Sequence, residues 1–170
     1  MKWMSLILLF SLLALGCQNS ADAGGAGDTG DSGGTKQPTP DDLPQPALDT
    51  VEMSLNGTRY TLTNKANGCI PGNPGDIGFS MPGFTSPTLF IHDADLNAQG
   101  NVTVQGGAGA WHMDIDAVTP GGAWLPAGTG CTATVMENTA TIFELKTSGC
   151  NILQGGVTTG KVSFRVRCRK

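Results

Sequence analysis

The sequence is poor in charged residues, in aromatic residues and in long apolar runs. Charged residues make up 14% of the 170 positions, aromatic residues 6%, and acidic residues outnumber basic ones by 14 to 10. This balance excludes a coiled coil and a nucleic-acid binder driven by net charge. The longest apolar run, residues 6–15, is about half as long as a membrane-spanning helix, which excludes a polytopic membrane protein. The length predicts one folded domain.

The N-terminus has the pattern of an export signal. Lys2 supplies a positive charge, the apolar run at 6–15 follows, and the small Gly16 precedes Cys17. Residues 13–17 read Leu-Ala-Leu-Gly-Cys, which resembles a bacterial lipobox. The order of charge, apolar core and small residue predicts a signal peptide that is removed from the mature chain.

The lipobox resemblance implies a defined processing and location. A signal peptidase would remove residues 1–16, and Cys17 would carry a diacylglyceryl group and an amide-linked acyl chain such as palmitate. Two or three chains anchor a protein firmly where one chain does not. Ala14 stands where the commonest pattern has leucine, and Gln18, not Asp, follows the cysteine. The resemblance therefore implies an exported protein anchored in the cell envelope, at the outer membrane.

Residues 17–50 are predicted to be a lipidated cysteine followed by a disordered tether. Residues 18–50 hold six Asp, one Lys and, as large apolar residues, only Leu43 and Leu48. Such a stretch cannot bury enough surface to offset the entropy of ordering. Its first half is rich in glycine and its second half in proline, and a coil of this size spans roughly 30 Å.

Residues 51–170 are predicted to be an all-β domain. Two period-two runs flank Asn56-Gly57, the strongest short signal for a hairpin. Glycine- and proline-rich turns separate the later runs, and no window has helical periodicity with caps. The fold class is therefore a small, disulfide-stabilised β-sandwich or a partly open barrel. The later predicted strands are 88–92, 101–105, 111–117, 132–136, 140–146 and 161–169.

Four cysteines besides Cys17 fall in this domain, an even set that predicts disulfides in an exported protein. Three pairings are possible. Cys131 and Cys150 bracket a predicted hairpin that turns at 137–139, so local pairing favours Cys131–Cys150 and leaves Cys69 for Cys168. Cys168 follows the inward alternation of the last strand. No C-x-x-C pair exists and no His lies near a Cys, which argues against a zinc site.

The layout resembles the mycobacterial lipoprotein-antigen family. The shared features are the lipobox, a Gly/Thr-rich tether, the strand pair that begins Val-Glu-Met-Ser-Leu-Asn-Gly at 51–57, the early Cys69 and the ending Lys-Val-Ser-Phe-Arg-Val-Arg-Cys at 161–168. The resemblance covers the layout and both ends of the domain, and it implies a small β-structure without a catalytic site, with Cys69 and Cys168 paired. The middle of the domain, with Cys131 and Cys150, departs from it. The Gly/Asp-rich tether is also similar to those of myxobacterial lipoproteins.

Two clusters combine histidine with aspartate and are the candidate metal ligands. If 111–117 is a strand, three of its polar side chains share one face. Asp93 and Asp95 imitate the start of a calcium loop, but Ala98 and Val104 stand where the loop needs Gly and Glu. We expect a solvated strand face and a polar turn, with no metal or other cofactor. The candidate ligands are His92, Asp93, Asp95, His112, Asp114 and Asp116.

No catalytic constellation is indicated. Residues 78–82 read Gly-Phe-Ser-Met-Pro, which places proline where a nucleophile elbow needs glycine, without the strand-turn-helix context. The chain has two His and no paired Glu in an apolar setting, which indicates neither a triad nor a glycosidase.

Three aromatic residues are candidate ligand contacts. Trp111 alternates like a core residue, whereas Trp124 follows two glycines and is the better candidate for an exposed loop contact; Tyr60 is the third. A basic stripe, Arg165, Arg167, Arg169 and Lys170, could contact acidic lipid headgroups or a polyanionic glycan. A solvated face that balances Asp114 and Asp116 on a neighbouring strand explains the stripe equally well.

Together these patterns predict a lipid-anchored envelope protein that displays a β-domain for interaction or a structural surface role, without catalysis. A module that binds a glycan or a divalent cation is the alternative hypothesis, and a small hydrolase is the third. The expected partners are the membrane, through the lipid on Cys17, and an envelope or extracellular molecule, but not nucleic acid.

Overall fold

The computed structural model describes residues 39, 41–72, 75–117 and 122–170. These residues form eleven β-strands and no helix, which confirms the all-β prediction. No helix long and apolar enough to cross a membrane occurs among them. The predicted signal peptide, Cys17 and the tether before residue 39 lie outside the described residues.

The strands follow one another closely along the chain. In order they are β1 (Thr50–Leu55), β2 (Thr58–Leu62), β3 (Asn64–Ile70), β4 (Gly75–Met81), β5 (Thr85–Ala94), β6 (Asn101–Val104), β7 (His112–Asp116), β8 (Trp124–Pro126), β9 (Cys131–Asn138), β10 (Ile142–Gln154) and β11 (Thr158–Arg169).

The strands form one sheet that curls into a nearly closed barrel. Its order is β2-β1-β11-β10-β8-β7-β5-β4-β3. The two end strands, β2 and β3, follow each other directly in the chain. Only Thr63 separates β2 from β3, and the two act as one bent strand that pairs first with β1 and then with β4. Of the two forms left open by the sequence, the domain is therefore the barrel. Strands β6 and β9 pair with each other beside the first half of β10.

The core fills the inside of the barrel. Inward side chains alternate with outward ones along each strand, as the strand period of two requires. On β11, Val162, Phe164, Val166 and Cys168 are buried while Arg165 and Arg167 point outward, as the sequence predicts. The largest buried side chains are Phe79, Phe143 and Phe164.

The hairpin at Asn56-Gly57 is confirmed, and both turn residues have positive φ. Strands β5, β6, β7, β9, β10 and β11 overlap the predicted runs. Strands β3, β4 and β8 were not predicted. Strand β4 contains Gly78 because the Phe90 ring packs over it; a Cβ at Gly78 would lie 2.7 Å from Phe90 Cε1.

Both predicted disulfides are present. Cys69 of β3 is joined to Cys168 of β11, and Cys131 of β9 is joined to Cys150 of β10. The Cα atoms are 5.7 and 5.4 Å apart, within the usual range. Since β3 and β11 do not hydrogen-bond to each other, the first disulfide closes the barrel where the backbone ladder does not.

The end of the predicted tether is ordered, which corrects the expectation of disorder for residues 41–49. This segment, here called the strap, lies along the outer face of β11, with Leu43 and Asp49 buried. Asp41 accepts a hydrogen bond from the Ser163 hydroxyl, and Gln45 Nε2 donates to Glu144 Oε2 at 2.8 Å. Composition alone missed the strap because its order comes from these contacts with the barrel and from the burial of a single large apolar side chain, Leu43.

Asp49 fixes the far end of the strap. Its carboxylate lies 3.0 Å from Lys65 Nζ and accepts hydrogen bonds from Arg169 Nε (2.7 Å) and the Arg169 backbone N–H (2.9 Å). Burial by itself raises the pKa of this carboxyl. The hydrogen bonds from Arg169 and Lys65, together with the charge of Lys65, outweigh burial and hold the pKa of Asp49 below its ordinary value.

Candidate ligand-binding pocket at the barrel mouth

One end of the barrel carries three described hairpin turns, and we call it the mouth. They are the turns between β1 and β2, between β4 and β5, and between β10 and β11. The pairing of Leu55 with Val162, of Thr88 with Asp116 and of Gln154 with Trp124 places them at the same end. The opposite end holds Asp49, at the start of β1.

A pocket of about 330 Å³ opens at the mouth, between β2 and β5. Its walls combine two aromatic residues with uncharged polar and small apolar ones, and none of its lining side chains is charged. Mouths of β-barrels are frequent ligand sites, and this volume is at the small end of the usual range. The lining residues are Leu55, Asn56, Thr58, Tyr60, Ser86, Pro87, Ala117 and Trp124.

Trp124 lies in β8 and is only 5% exposed, so the prediction of an exposed loop residue is wrong. The indole packs over β11 at Gly160, where a Cβ would lie 2.5 Å from Trp124 Cζ3. The small part of the ring that stays accessible lines the mouth pocket.

Trp111 packs in the core of the barrel. It is buried, as its alternation predicts, with its ring centroid 6.3 Å from that of Phe143. Tyr60 is half-buried on β2, where it pairs with Met53 and lines the mouth pocket. Two of the three predicted aromatic contacts, Tyr60 and Trp124, thus come together in one pocket.

The two histidines meet on the outer face of the sheet. His92 of β5 pairs with His112 of β7, and their rings stack with centroids 4.6 Å apart. His92 Nε2 lies 3.1 Å from Asp114 Oδ2, and His92 Nδ1 lies 3.5 Å from Asp76 Oδ1. His112 Nδ1 lies 2.8 Å from the Gly109 carbonyl oxygen. Both ring nitrogens of His92 thus face carboxylates of neighbouring strands, and Nδ1 of His112 faces a carbonyl of the loop before β7.

The predicted metal ligands do not converge. In the part of the chain that the structure describes, no three His, Cys, Asp or Glu side chains are grouped to hold one metal ion. Asp93 Oδ2 is 3.8 Å from His112 Nδ1. Asp95 instead accepts the backbone N–H of Asn97 in a turn, and Asp116 is exposed opposite Thr88. The cluster therefore has the geometry of a hydrogen-bonded sheet face.

The serine of the Gly-Phe-Ser-Met-Pro run is not placed as a nucleophile. Ser80 is buried within β4, not at a turn. Asp76, the β4 residue beside His92, is four residues away along the strand, or about 13 Å. Ser80 is consequently out of hydrogen-bond reach of the histidine, so this arrangement supplies no serine-histidine pair.

The basic stripe is paired within the sheet, but not with Asp114 and Asp116 as expected. Arg165 Nε donates to Glu144 Oε1 at 2.6 Å, and Arg167 contacts both Glu144 and Glu137. Arg169 pairs with Asp49 of the strap. These three arginines are thus paired with acidic partners on the outer face of the sheet.

The polar lining of the mouth pocket, Asn56, Thr58 and Ser86, was not singled out from the sequence. The Asn-Gly turn was the available signal, because a hairpin turn beside a barrel mouth presents its polar side chains to any ligand there. No protein-family model, no curated protein and no solved structure matches this chain.

Proposed function

We propose that this chain is an exported lipoprotein, anchored in the outer membrane through lipid on Cys17, that displays the barrel as a non-catalytic interaction domain. The observation that carries the proposal is the agreement between the lipobox-like N-terminus and a barrel with two disulfides. Disulfides persist in oxidising compartments outside the cytoplasm. The lipid on Cys17 supplies the membrane contact, and the barrel surface meets the envelope or extracellular partner.

Intact mass and non-reducing peptide mapping of the protein from its native membrane test this proposal. We expect a chain that starts at Cys17, carries acyl chains there, and contains the 69–168 and 131–150 linkages. Treatment with a reductant should shift only the linked peptides and leave the lipidated N-terminal peptide unchanged. An unlipidated chain would contradict the lipid anchor. Free thiols at the four positions would contradict export to an oxidising compartment.

A second candidate function is supported by the mouth pocket: binding of an uncharged carbohydrate. Tyr60 offers ring surface for the apolar face of a sugar, with the accessible edge of Trp124 beside it. Asn56, Thr58 and Ser86 offer hydrogen-bond partners for its hydroxyl groups. The absence of charge in the lining disfavours ions and charged sugars, which would lose hydration without gaining a partner. The volume fits a single sugar unit at the end of a glycan.

Tyr60→Ala should weaken carbohydrate binding about tenfold or more, because an aromatic contact at the centre of a small pocket contributes on the order of 1–2 kcal/mol. NMR titration with the N-acetylglucosamine trisaccharide and with maltotriose measures this. Tyr60→Phe keeps the ring and removes the hydroxyl group, so it should retain most of the affinity. Chemical-shift changes confined to residues outside the mouth, or equal affinity of wild type and Tyr60→Ala, would contradict carbohydrate binding in this pocket.

A further inference from the structure

The two most exposed large apolar side chains of the described residues both lie at the mouth end. Phe84 is 71% exposed at the β4–β5 turn, and Val157 is 83% exposed at the β10–β11 turn. Neither turn, 81–85 or 154–158, contains a charged residue. We call these two turns with Phe84 and Val157 the apolar rim.

The opposite end of the barrel holds a group of charged residues. Asp49, Lys65 and Arg169 form one charged group there, and Asp76 and Asp93 lie at the start of β4 and the end of β5. The two most exposed apolar side chains thus lie at the mouth end, where Arg59, Asp116 and Lys161 are also exposed.

Phe84 is an unusual choice for its backbone position. Gly83 and Phe84 have φ of 78° and 57°, a conformation that suits Asn, Asp or Gly and is strained for a bulky residue. Its ring is mostly solvent-exposed, so it adds little to the core. Neither backbone preference nor packing within the barrel explains a phenylalanine at this turn, and its ring is available for a contact outside the barrel.

The chain from Cys17 reaches the barrel at this same end. Arg59, just past the β1–β2 turn, donates hydrogen bonds to the carbonyl oxygens of Thr39 and Asp42, and Asp41 contacts Ser163. From there the strap runs away from the mouth to Asp49. Cys17 precedes Thr39 by 22 positions, so an anchor at Cys17 would be joined to the barrel at its mouth end.

We infer that the apolar rim docks on the surface of the membrane that holds the anchor, with Phe84 and Val157 inserted at the headgroup level. This inference rests on the proposed lipid anchor. We assign a bilayer as the binding partner because the anchored chain joins the barrel at the end that carries the rim. Two turns without charged residues and with apolar tips also suit the boundary between headgroups and acyl chains. The barrel would then stand on the membrane with the end that holds Asp49 directed away.

Tryptophan scanning of the lipidated chain in vesicles of phosphatidylethanolamine and phosphatidylglycerol tests the docking. Phe84→Trp and Val157→Trp place a fluorophore on the rim, and Met136→Trp, at a half-exposed residue of β9 away from the mouth, is the matched control. Acyl-brominated lipids should lower the added fluorescence at 84 and 157 about twofold or more, since interfacial side chains reach roughly 5–10 Å into the boundary, and should leave the signal at 136 unchanged.

A second variant separates insertion from mere proximity. Phe84→Gly relieves the unfavourable φ, so the barrel should fold at least as well. In the Val157→Trp background it should reduce the docked population about tenfold, because burial of one phenylalanine contributes on that order to partitioning. If the fluorescence added by Val157→Trp is still quenched after this change, or if quenching is equal at 84, 157 and 136, docking through the apolar rim is wrong.

Failure of the anchor is distinguishable from failure of the rim. A chain without acyl chains on Cys17 that does not float with vesicles overturns the proposed lipoprotein. A lipidated chain that floats but shows no quenching at 84 or 157 leaves the anchor intact and overturns the docking. A protein partner or a second copy at the rim would give this second result.

Discussion

Replacing both Cys69 and Cys168 by alanine should lower the free energy of unfolding by about 4–5 kcal/mol, the largest effect of any change to this barrel. The two residues are 99 positions apart, so the disulfide removes much of the entropy of the unfolded chain. It also joins β3 to β11, which share no backbone ladder. Urea denaturation of the oxidised variant, followed by far-UV circular dichroism, measures the loss.

The Cys131→Ala/Cys150→Ala double variant is the matched control. Its cysteines are only 19 positions apart, on strands that already pair along β9 and β10. We expect a loss of about 3 kcal/mol, smaller than for the first pair. Equal losses, or the reverse order, would show that loop closure is not what the long-range disulfide contributes.

Glu144→Ala should destabilise the barrel by about 3 kcal/mol, because it removes the buried carboxylate that two partly buried arginines share. The Glu144 side chain is 1% exposed, while those of Arg165 and Arg167 are 16% and 24% exposed. All three outward residues come from β10 and β11, and Gln45 of the strap covers the carboxylate. Without Glu144 the guanidinium groups face each other with too little compensating charge. Urea denaturation measures the effect.

Glu52→Gln is the matched control for Glu144→Ala. Glu52 lies on the same outer face, on β1, and accepts a hydrogen bond from the exposed Thr61 hydroxyl. Its replacement should change the free energy of unfolding by less than about 1 kcal/mol. If Glu144→Ala costs no more than Glu52→Gln, the cluster is solvated and does not stabilise the strap.

The strands that sequence reasoning found are those whose period-two pattern is local. In strand β11 the apolar residues at 162, 164, 166 and 168 alternate with polar ones, so the inward face can be predicted from that strand alone. The same holds for the β1–β2 hairpin. Strand β3 carries mostly polar residues and forms because partners complete it, whereas β4 alternates Ile77 and Phe79 with small residues that resemble a turn. Gly78 reads as a turn residue until Phe90, twelve positions later, is seen to fill its space.

The candidate site depends on the same long-range effects. Trp124 reads as loop-borne because glycines precede it, but its position is set by Gly160, which is 36 residues away on β11. Tyr60 and Ser86 face one pocket only because the barrel brings β2 to β5. Residue types could be proposed from the sequence, whereas their convergence required the topology.

The direction of the strap determines how the protein would respond to a pull on its N-terminus. Tension that enters at Asp41 would peel the strap from β11 one contact at a time, from Ser163 through Glu144 to Arg169, before it reached β1. Nine peeled residues would release about 30 Å of extra length. The strap would thus detach first under tension, and the barrel closed by the disulfide would stay folded.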